Sequence, residues 1–380
     1  MKSYKIALVL DDSLDTPDGV QQYVLNVGRW LSENGHTVHY LVGETKRRPE
    51  LAHVHSMGRN VKVRFNQNRM SMPLPASNKK IRELLAVEQY DIIHVQMPYS
   101  PFLAGRIVKN ADSRTAVVAT FHVAPHGKMV HAANVLLRLM VHGSIRRFDE
   151  FISVSPVAQK FAQQTFRIQS TVVPNTVDLT NFYTPKPFKQ YEASTNIEFF
   201  GRLVERKGAQ YFLRAINRLH KASRLPEDCR ILVCGAGPLD AQLKAYVAQN
   251  GLADIVDFAG FIPEEDKSRW LACGDIVVYP STGGESFGIV LLEGMAASRG
   301  MVIAGNNPGY RGVLGDHPEV LFDPKDEAAF ADKLHEYLAS DKLQRQVAAW
   351  QKPYARTFDL PNVMHKIVTV YERALHKRRS

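Results

Sequence analysis

Short apolar runs alternate with stretches of helical periodicity along the whole chain. Runs such as Ala116–Ala119 are apolar at every position, which is typical of parallel strands covered on both faces. Between the runs, apolar residues recur three and four positions apart, as they do from Val20 to Glu33. The alternation predicts βαβ units. The elements expected in the first series are Lys5–Leu10, Val20–Glu33, Thr37–Val42, Lys79–Val87, Asp91–Val95, Thr115–Thr120 and Phe151–Val154.

A loop rich in Pro, Lys and Tyr, at Asn181–Ser194, separates this series from a second one. The 380 residues exceed the size at which a single core stops growing, about 250–300 residues. We therefore predict an α/β protein with one doubly wound domain at 1–180, another at 181–358 and a helical segment at 359–380. Periodicity alone leaves open where that last segment packs. The second series of strands is expected at Ile197–Phe200, Ile231–Cys234, Ile255–Phe258, Ile276–Tyr279 and Met301–Ala304.

The length of the apolar runs bears on where the protein works. They are strand-sized, far below the roughly 20 residues of a membrane-spanning helix, and the first residues enter a strand without a signal-peptide layout. We expect a cytoplasmic protein. Three cysteines lie in or beside apolar runs without metal-ligand spacing, so we expect reduced core thiols at Cys229, Cys234 and Cys273.

The net charge of +10 is concentrated in the first half, where residues 1–185 hold 22 Lys and Arg against 14 Asp and Glu. Such a surface suits an anionic lipid or a phosphorylated substrate. Nucleic acid is not an expected partner, because no finger spacing, helix-turn-helix pattern or basic motif interleaved with aromatic residues is present.

Candidate chemistry lies in the loops at the carboxyl ends of the predicted strands, where doubly wound sheets bind ligands. The segment Gly283–Glu293 follows a strand and opens a helix, and it carries Glu285 and Glu293 eight residues apart. A glycine-rich turn before a helix lets backbone N–H groups approach anionic oxygens. The alternative is a plain glycine-rich turn in which Glu285 caps the helix.

The segment Gly201–Gly208 follows the first strand of the second series and carries Arg202 and Lys207. Paired cations can neutralise the charge that develops on a departing diphosphate. The alternative is a solvated basic turn, since the segment matches neither a Walker A sequence nor a dinucleotide fingerprint.

Two loops of the first half offer further candidates. His122 directly follows the strand Thr115–Thr120 and either hydrogen-bonds a sugar hydroxyl near the reacting centre or is a structural histidine. No carboxylate joins it at metal-site spacing, so no metal is expected. Gly19 lies in the turn before the first helix and either faces a phosphate or belongs to a plain Pro-Asp-Gly turn.

The segment Asn78–Glu88 has the pattern of an N-capped amphipathic helix with Lys79, Lys80 and Arg82 close together. Such a helix can rest on an anionic membrane, or it can be an ordinary solvated outer helix.

Taken together, these segments resemble family 4 glycosyltransferases of the GT-B fold, most of all the bacterial phosphatidylinositol mannosyltransferases. The resemblance covers nearly the whole chain. It is carried by Pro17–Gln21, Ala119–His122, Pro174–Asp178, Gly201-Arg202 with Lys207-Gly208, and the Glu-x7-Glu segment. It implies two Rossmann-like domains facing across a cleft, with a C-terminal helix returning to the first.

The resemblance also implies residue roles. Arg202 and Lys207 would bind the donor diphosphate, Glu285 the sugar and Glu293 the ribose, while Gly19 and His122 would meet donor phosphate and sugar. Further contacts to the nucleotide sugar are implied for Ile262, Ser286, Phe287, Gly288 and Ile289. The family retains anomeric configuration and needs no metal at the reaction centre. The donor would be GDP-mannose or a UDP-sugar.

The implied function is transfer of a hexose to a lipid or lipid-linked acceptor such as phosphatidylinositol, at the inner face of the cell membrane. The helix Asn78–Glu88 would contact the anionic surface. Two features depart from the mannosyltransferases: Asp12 stands where they carry an aromatic residue, and the segment Asn66–Ala76 is unlike theirs. Two alternatives are therefore kept: the same chemistry on a soluble acceptor, and a tandem Rossmann protein that binds a dinucleotide for redox chemistry or senses nucleotides without catalysis.

Overall fold

The computed structural model describes residues 2–15, 19–46, 48–58, 60–65, 68–73, 76–98, 100–122, 138 and 140–379, with only the backbone at 60–65 and 68–73. Two compact units are present. Unit 1 comprises Met1–Val177 and Leu360–Ser380, and unit 2 comprises Asp178–Asp359. Each unit has its own sheet.

Unit 1 contains a seven-stranded parallel sheet and a separate two-stranded antiparallel hairpin. Its strands are β1 (Lys5–Leu10), β2 (Thr37–Val42), β3 (Val54–Ser56), β4 (Asn60–Phe65), β5 (Asn68–Pro73), β6 (Ile92–Gln96), β7 (Ala116–Phe121), β8 (Glu150–Ser153) and β9 (Thr171–Val172). The sheet order is β3-β2-β1-β6-β7-β8-β9, and β4 and β5 form the hairpin. The strand order therefore reverses between β1 and β6, as in a doubly wound sheet.

Helices cover both faces of this sheet, which explains why its strands are apolar at every position. In β1, Ile6 and Leu8 enter one buried cluster, whereas Ala7 and Val9 enter the cluster on the opposite face. Among the described residues before the linker, the helices of unit 1 include α1 (Gly19–Glu33), α2 (Asn78–Glu88), α3 (Leu103–Asn110) and α4 (Pro156–Phe161).

The segment between β2 and β6 differs most from the expectation. Helix α2 has the predicted bounds, but Asn78 is its first helical residue and Ser77 occupies the cap position without a side-chain cap hydrogen bond. The predicted N-cap is therefore wrong. Strand β3 and the hairpin were not expected, because short, largely polar strands lack the apolar runs on which the prediction relies. The segment Asn66–Ala76 lies partly outside the described residues.

Unit 2 contains a six-stranded parallel sheet in the order β12-β11-β10-β13-β14-β15, which again reverses, between β10 and β13. Its strands are β10 (Thr195–Phe200), β11 (Cys229–Cys234), β12 (Val256–Gly260), β13 (Ile276–Tyr279), β14 (Met301–Gly305) and β15 (Leu321–Phe322). Its helices are α5 (Ala209–Lys221), α6 (Asp240–Gln249), α7 (Glu264–Leu271), α8 (Ile289–Ala297), α9 (Pro308–Leu314), α10 (Glu327–Leu338) and α11 (Asp341–Arg356). Two Rossmann-like units confirm the predicted α/β class.

The last helix, α12 (Leu360–Arg379), belongs to unit 1 although it follows unit 2 in the chain. It begins where the backbone N–H of Leu360 donates to the carbonyl oxygen of Val177 (2.9 Å). Its apolar side joins the buried cluster shared by α1 and β1, and the hydroxyl of Tyr371 lies 2.8 Å from His94 Nδ1 inside unit 1. The helical segment at the C-terminus is thus confirmed.

One carboxyl group lies in the core of unit 2. Glu198, on β10, has no exposed surface, and burial raises its pKa well above the usual value, an effect that the neighbouring Cys234 thiol only partly offsets. The folded state therefore holds a proton that the unfolded chain releases above its ordinary pKa near 4.5. Stability is fully present below that value and falls as pH rises toward the raised folded pKa.

We expect Glu198→Gln to stabilise unit 2 at pH 7–8 and to remove this pH dependence, because the amide keeps the shape but does not ionise. Relative to this variant, the wild type should lose up to about 1.4 kcal/mol of unfolding free energy per pH unit between pH 4.5 and the raised folded pKa of Glu198. Urea denaturation at several pH values from 5 to 8 measures the difference. Glu227→Gln, at an exposed position, is the matched control and should follow the wild type. Parallel pH curves for wild type and Glu198→Gln would contradict a neutral buried carboxyl group.

Candidate functional site

The loops that follow β10 and β13 lie side by side in unit 2, where the strand order reverses. The loops are in direct contact: the backbone N–H of Thr282 donates to the carbonyl oxygen of Arg206 (2.9 Å), and the Ser281 hydroxyl lies 3.1 Å from the same oxygen. Gly208 has φ +82°, and a Cβ there would overlap the carbonyl oxygen of Pro280. Only glycine allows this approach. The two loops therefore form one surface at the carboxyl edge of the sheet.

Three donors converge on one carboxylate oxygen at this surface. Oε1 of Glu285 lies 2.7 Å from Arg206 Nη1, 2.9 Å from Lys207 Nζ and 3.0 Å from the Ser281 hydroxyl. The Glu285 side chain is 13% exposed and that of Lys207 is 16% exposed, so the ion pair is largely shielded from water. Burial acts to raise the pKa of Glu285, but Lys207 and Arg206 outweigh it, and the pKa is lowered. Glu285 is therefore an ionised, oriented acceptor.

The second carboxylate of the segment holds a different cation. Glu293 lies in α8, its side chain is 8% exposed, and its Oε1 is 2.6 Å from Nζ of Lys267 on α7. Burial alone would lower the pKa of Lys267, but Glu293 and Glu264 raise it, so the lysine stays charged. The other oxygen of Glu293, Oε2, is buried without a hydrogen-bond partner in the described part of the chain. An orphaned acceptor of this kind suits a hydroxyl donor from a ligand.

The turn between these carboxylates depends on a second glycine. Gly288 precedes α8 with φ +106°, and a Cβ there would lie 2.8 Å from the ring of Tyr310. Phe287 beside it is buried and meets Phe358 edge to face at 5.8 Å. The backbone thus turns sharply into α8, whose first residue is Ile289, with Ser286 partly exposed on the loop.

The other two candidates of unit 2 are Arg202 and Ile262. Arg202 is exposed, in the same loop as Lys207. Ile262 follows β12 and packs, partly buried, against the cluster of Leu232 and Cys234. Arg206 and Lys267 were not among the predicted site residues. Arg206 stands next to Lys207 in the sequence, whereas no local signal marks Lys267, which is 26 positions from Glu293.

His122 is buried at the end of β7 in unit 1. Its Nε2 donates to Oε1 of Gln96, at the end of β6, over 2.7 Å, and the ring of Tyr23 meets it edge to face at 4.7 Å. Burial lowers the pKa of His122 to about 3. The Asn175 side chain opposes this shift, although Nδ1 of His122 makes no hydrogen bond of regular geometry to any described residue. The imidazole is therefore a neutral hydrogen-bonding group at physiological pH.

Gly19 is the first residue of α1 and is exposed, with open space where a Cβ would be. Residues 16–18 of the predicted turn lie outside the described residues. The loop before them is tied down by two acids that follow β1. Asp12 Oδ2 accepts from Gln21 on α1 (3.1 Å), and the Asp11 carboxylate accepts from the Ser100 hydroxyl and from the Ala104 N–H (2.7 Å). Burial raises the pKa of Asp11 to about 6.

The structure thus brings Lys207 and Glu285 together in unit 2, places Glu293 on a separate cation, and puts His122 against Gln96 in unit 1. Within the described residues, no helix combines the length and apolarity needed to cross a membrane.

Comparison with known proteins gives matches over both units. The model of the Glycosyltransferase Family 4 matches residues 17–181, and that of the Glycosyl transferases group 1 matches residues 185–352. A phosphatidyl-myo-inositol mannosyltransferase of Mycobacterium tuberculosis is 30% identical over 97% of this chain and 96% of its own length.

Solved structures match the whole fold. A glycosyltransferase of Rickettsia africae has a TM-score of 0.76 at 19% identity and covers 99% of each chain. Anabaena HepE in complex with UDP has a TM-score of 0.74 at 18% identity, over 96% of this chain and 98% of its own. At these identities the likeness concerns the fold.

Proposed function

Because the chain belongs to the family 4 glycosyltransferases of the GT-B fold, we propose that it transfers a hexose of the mannose or glucose type from a nucleoside diphosphate to a lipid or lipid-linked acceptor, with retention of configuration. Glycosyltransferases of this family take the sugar from a nucleotide-sugar donor, and the chain belongs to the family. The observation that carries the proposal is the contact of Lys207 and Arg206 with Glu285 at the reversal of the second sheet.

The donor diphosphate would bind Lys207 and Arg206, the two cations that pair with Glu285 in this structure. A diphosphate carries dense negative charge, and Lys207 and Arg206 are already oriented and partly desolvated there, with Arg202 in the same loop. Glu285 would then accept hydrogen bonds from sugar hydroxyls. Oε2 of Glu293, buried and unpaired among the described residues, would accept from the ribose.

The reaction breaks the bond between the anomeric carbon and the phosphate oxygen, and the electron pair leaves with the diphosphate. A hydroxyl oxygen of the acceptor forms the new bond, and its proton goes to an oxygen of the leaving phosphate on the same face. The low pKa of His122 supports this route, because so weak a base is poorly suited to deprotonate an alcohol. His122 would instead bind the sugar as a neutral partner.

The lipid acceptor is supported by the relative named for phosphatidyl-myo-inositol and by the surface of α2. Lys79, Lys80 and Arg82 are exposed on this helix, and Val87 is 78% exposed. Basic side chains with an exposed apolar residue suit the surface of an anionic membrane, where each cation contributes about 1 kcal/mol. We infer peripheral attachment at the inner face of the cell membrane.

Donor and acceptor are tested together. Thermal-shift screening of GDP- and UDP-sugars identifies the donor, since a ligand that binds the folded state raises the melting temperature. The donor, radiolabelled in the sugar, is then incubated with vesicles of total bacterial lipid or with soluble sugars and sugar phosphates. We expect transfer into the lipid phase, with slow donor hydrolysis when acceptor is absent. A folded protein that neither binds nor hydrolyses any donor would refute the proposal.

Membrane attachment through α2 is tested separately with a charge-neutralised variant. The triple variant Lys79→Gln, Lys80→Gln, Arg82→Gln should keep donor hydrolysis but lose most transfer to vesicles containing anionic lipid, and should no longer sediment with them at low salt. Wild-type transfer to a soluble acceptor, without sedimentation of either protein, would favour the soluble-acceptor alternative and leave the donor chemistry intact.

A further inference from the structure

Histidine side chains gather at one edge of the sheet of unit 1, away from the loops described above. His39 lies on β2 and His55 on β3, which pairs in parallel with β2 through Leu41 opposite His55. Glu88 ends α2 and approaches the same edge. The His39 side chain is 4% exposed and that of Glu88 is 20% exposed, so the group is sheltered but reachable from solvent.

The three side chains turn their ligand atoms toward one point. Nε2 of His55 lies 3.1 Å from Nδ1 of His39, and Nδ1 of His39 lies 3.8 Å from Oε2 of Glu88. All three atoms lie within 4.8 Å of one another. In a tetrahedral zinc site with bonds of about 2.0–2.1 Å, neighbouring ligand atoms are separated by about 3.3–3.4 Å. Without any metal, the distance between the two histidine nitrogens is slightly shorter than this ideal separation, and the distance from His39 to Glu88 is slightly longer.

We propose that His39, His55 and Glu88 form a binding site for a divalent transition metal ion, best suited to Zn²⁺, with water as the fourth ligand. Two imidazole nitrogens and one carboxylate oxygen are a donor set that zinc prefers. A hard ion such as Mg²⁺ would select an all-oxygen environment instead.

Neighbouring side chains hold the ligand groups of His39 and Glu88 in place. The ring of His53 stacks on that of His39 at 4.3 Å and 13°, which restricts the plane of the His39 ring. Two of the contacts that a metal would modify are the Tyr90 hydroxyl, 2.9 Å from His39 Nδ1, and Lys5, 2.5 Å from Glu88 Oε2.

A bound ion would tie the end of α2 to the outer strands β2 and β3, independently of any nucleotide sugar. The test uses the full chain after removal of metals by a chelator. Co²⁺ is added at pH 7.5, since its visible absorption reports tetrahedral coordination, and Zn²⁺ is then added as competitor. We expect one equivalent of Co²⁺ with tetrahedral bands, displaced by Zn²⁺, and a melting temperature that rises with Zn²⁺.

His55→Gln and Glu88→Gln should each weaken binding by more than the roughly 10–100-fold that loss of an outer-shell partner costs. The matched controls are His53→Asn, which removes the stacked histidine and suits its φ of +56°, and Glu83→Gln, which removes an exposed carboxylate of the same helix. His53→Asn should weaken binding by no more than that outer-shell loss, because His53 only stacks on the His39 ring, and Glu83→Gln should bind as the wild type does. The proposal is overturned if folded wild type takes up no Co²⁺ with tetrahedral bands, or if binding survives in His55→Gln and Glu88→Gln.

Discussion

Lys207→Ala is expected to lower kcat by roughly 10²–10³-fold while the protein stays folded, because it removes a cation that acts on charge developing in the transition state. Lys207 contacts Glu285 directly, and its side chain is only 16% exposed. Bulk water therefore cannot fully replace the electrostatic stabilisation that this cation provides. The measurement is steady-state transfer with the donor that the wild type uses, together with the melting temperature of both proteins.

The split between kcat and KM makes this result diagnostic. If Lys207 only bound the donor, KM would rise and kcat would stay unchanged; loss of kcat indicates stabilisation of the departing diphosphate. Lys244→Ala is the matched control, since Lys244 pairs with Asp240 on α6 and its side chain is 53% exposed. It should retain the wild-type kinetics and fold, because an exposed ion pair contributes only about 0–1 kcal/mol to stability. Unchanged kcat in Lys207→Ala would remove this lysine from the reaction centre.

Deletion of α12, by ending the chain at Asp359, is expected to prevent unit 1 from folding. The helix supplies eight buried residues to the cluster around α1 and β1, namely Leu360, Val363, Met364, Ile367, Val370, Tyr371, Ala374 and Leu375. Burial of a large apolar side chain contributes about 1.5–3 kcal/mol. Together these residues match the whole stability of a typical domain, about 5–15 kcal/mol. Removing Tyr371 would also leave His94 Nδ1 buried without its partner.

Tryptophan fluorescence and circular dichroism report the outcome, because Trp30 lies in unit 1 and Trp270 and Trp350 lie in unit 2. The truncated chain should show a single unfolding transition, that of unit 2, and Trp30 should be exposed. A graded version compares Ile367→Ala, with an expected loss of about 2–5 kcal/mol, with Lys366→Ala on the exposed side, within about ±0.5 kcal/mol. A truncated protein in which Trp30 stays buried would show that α12 is dispensable.

The class of fold was predictable from the sequence because it depends on runs that are apolar at every position. Strands such as β7 and β13 are buried at every position, and a parallel sheet covered by helices on both faces provides that environment. Strand β3 and the hairpin lack this signal, since polar residues interrupt the apolar ones in each of these three strands. The packing of α12 on unit 1 could not be predicted either, because helical periodicity shows that one side of a helix is buried but not which element covers that side.

The candidate site was predictable only as far as local motifs reach. Lys207 and Glu285 stand out because each lies in a loop after a central strand, at the reversal of strand order. Arg206, on the short 3₁₀ helix Glu205–Lys207, contacts Glu285 in the structure, but no sequence motif singled it out. The contact of Lys267 with Glu293 arises from the packing of α7 on α8, which no motif records.

The chain enters unit 2 after Val177 and leaves it at Asp359, so unit 2 is an insertion into unit 1. On the ribosome, every strand of the first sheet is synthesised before the helix that completes its core. The second unit, by contrast, is continuous and can close as soon as it emerges. Unit 1 therefore cannot complete its core until the inserted unit and then α12 have been synthesised, and its apolar surface stays uncovered during that interval. Chaperone binding would protect the nascent chain most at this stage of biosynthesis.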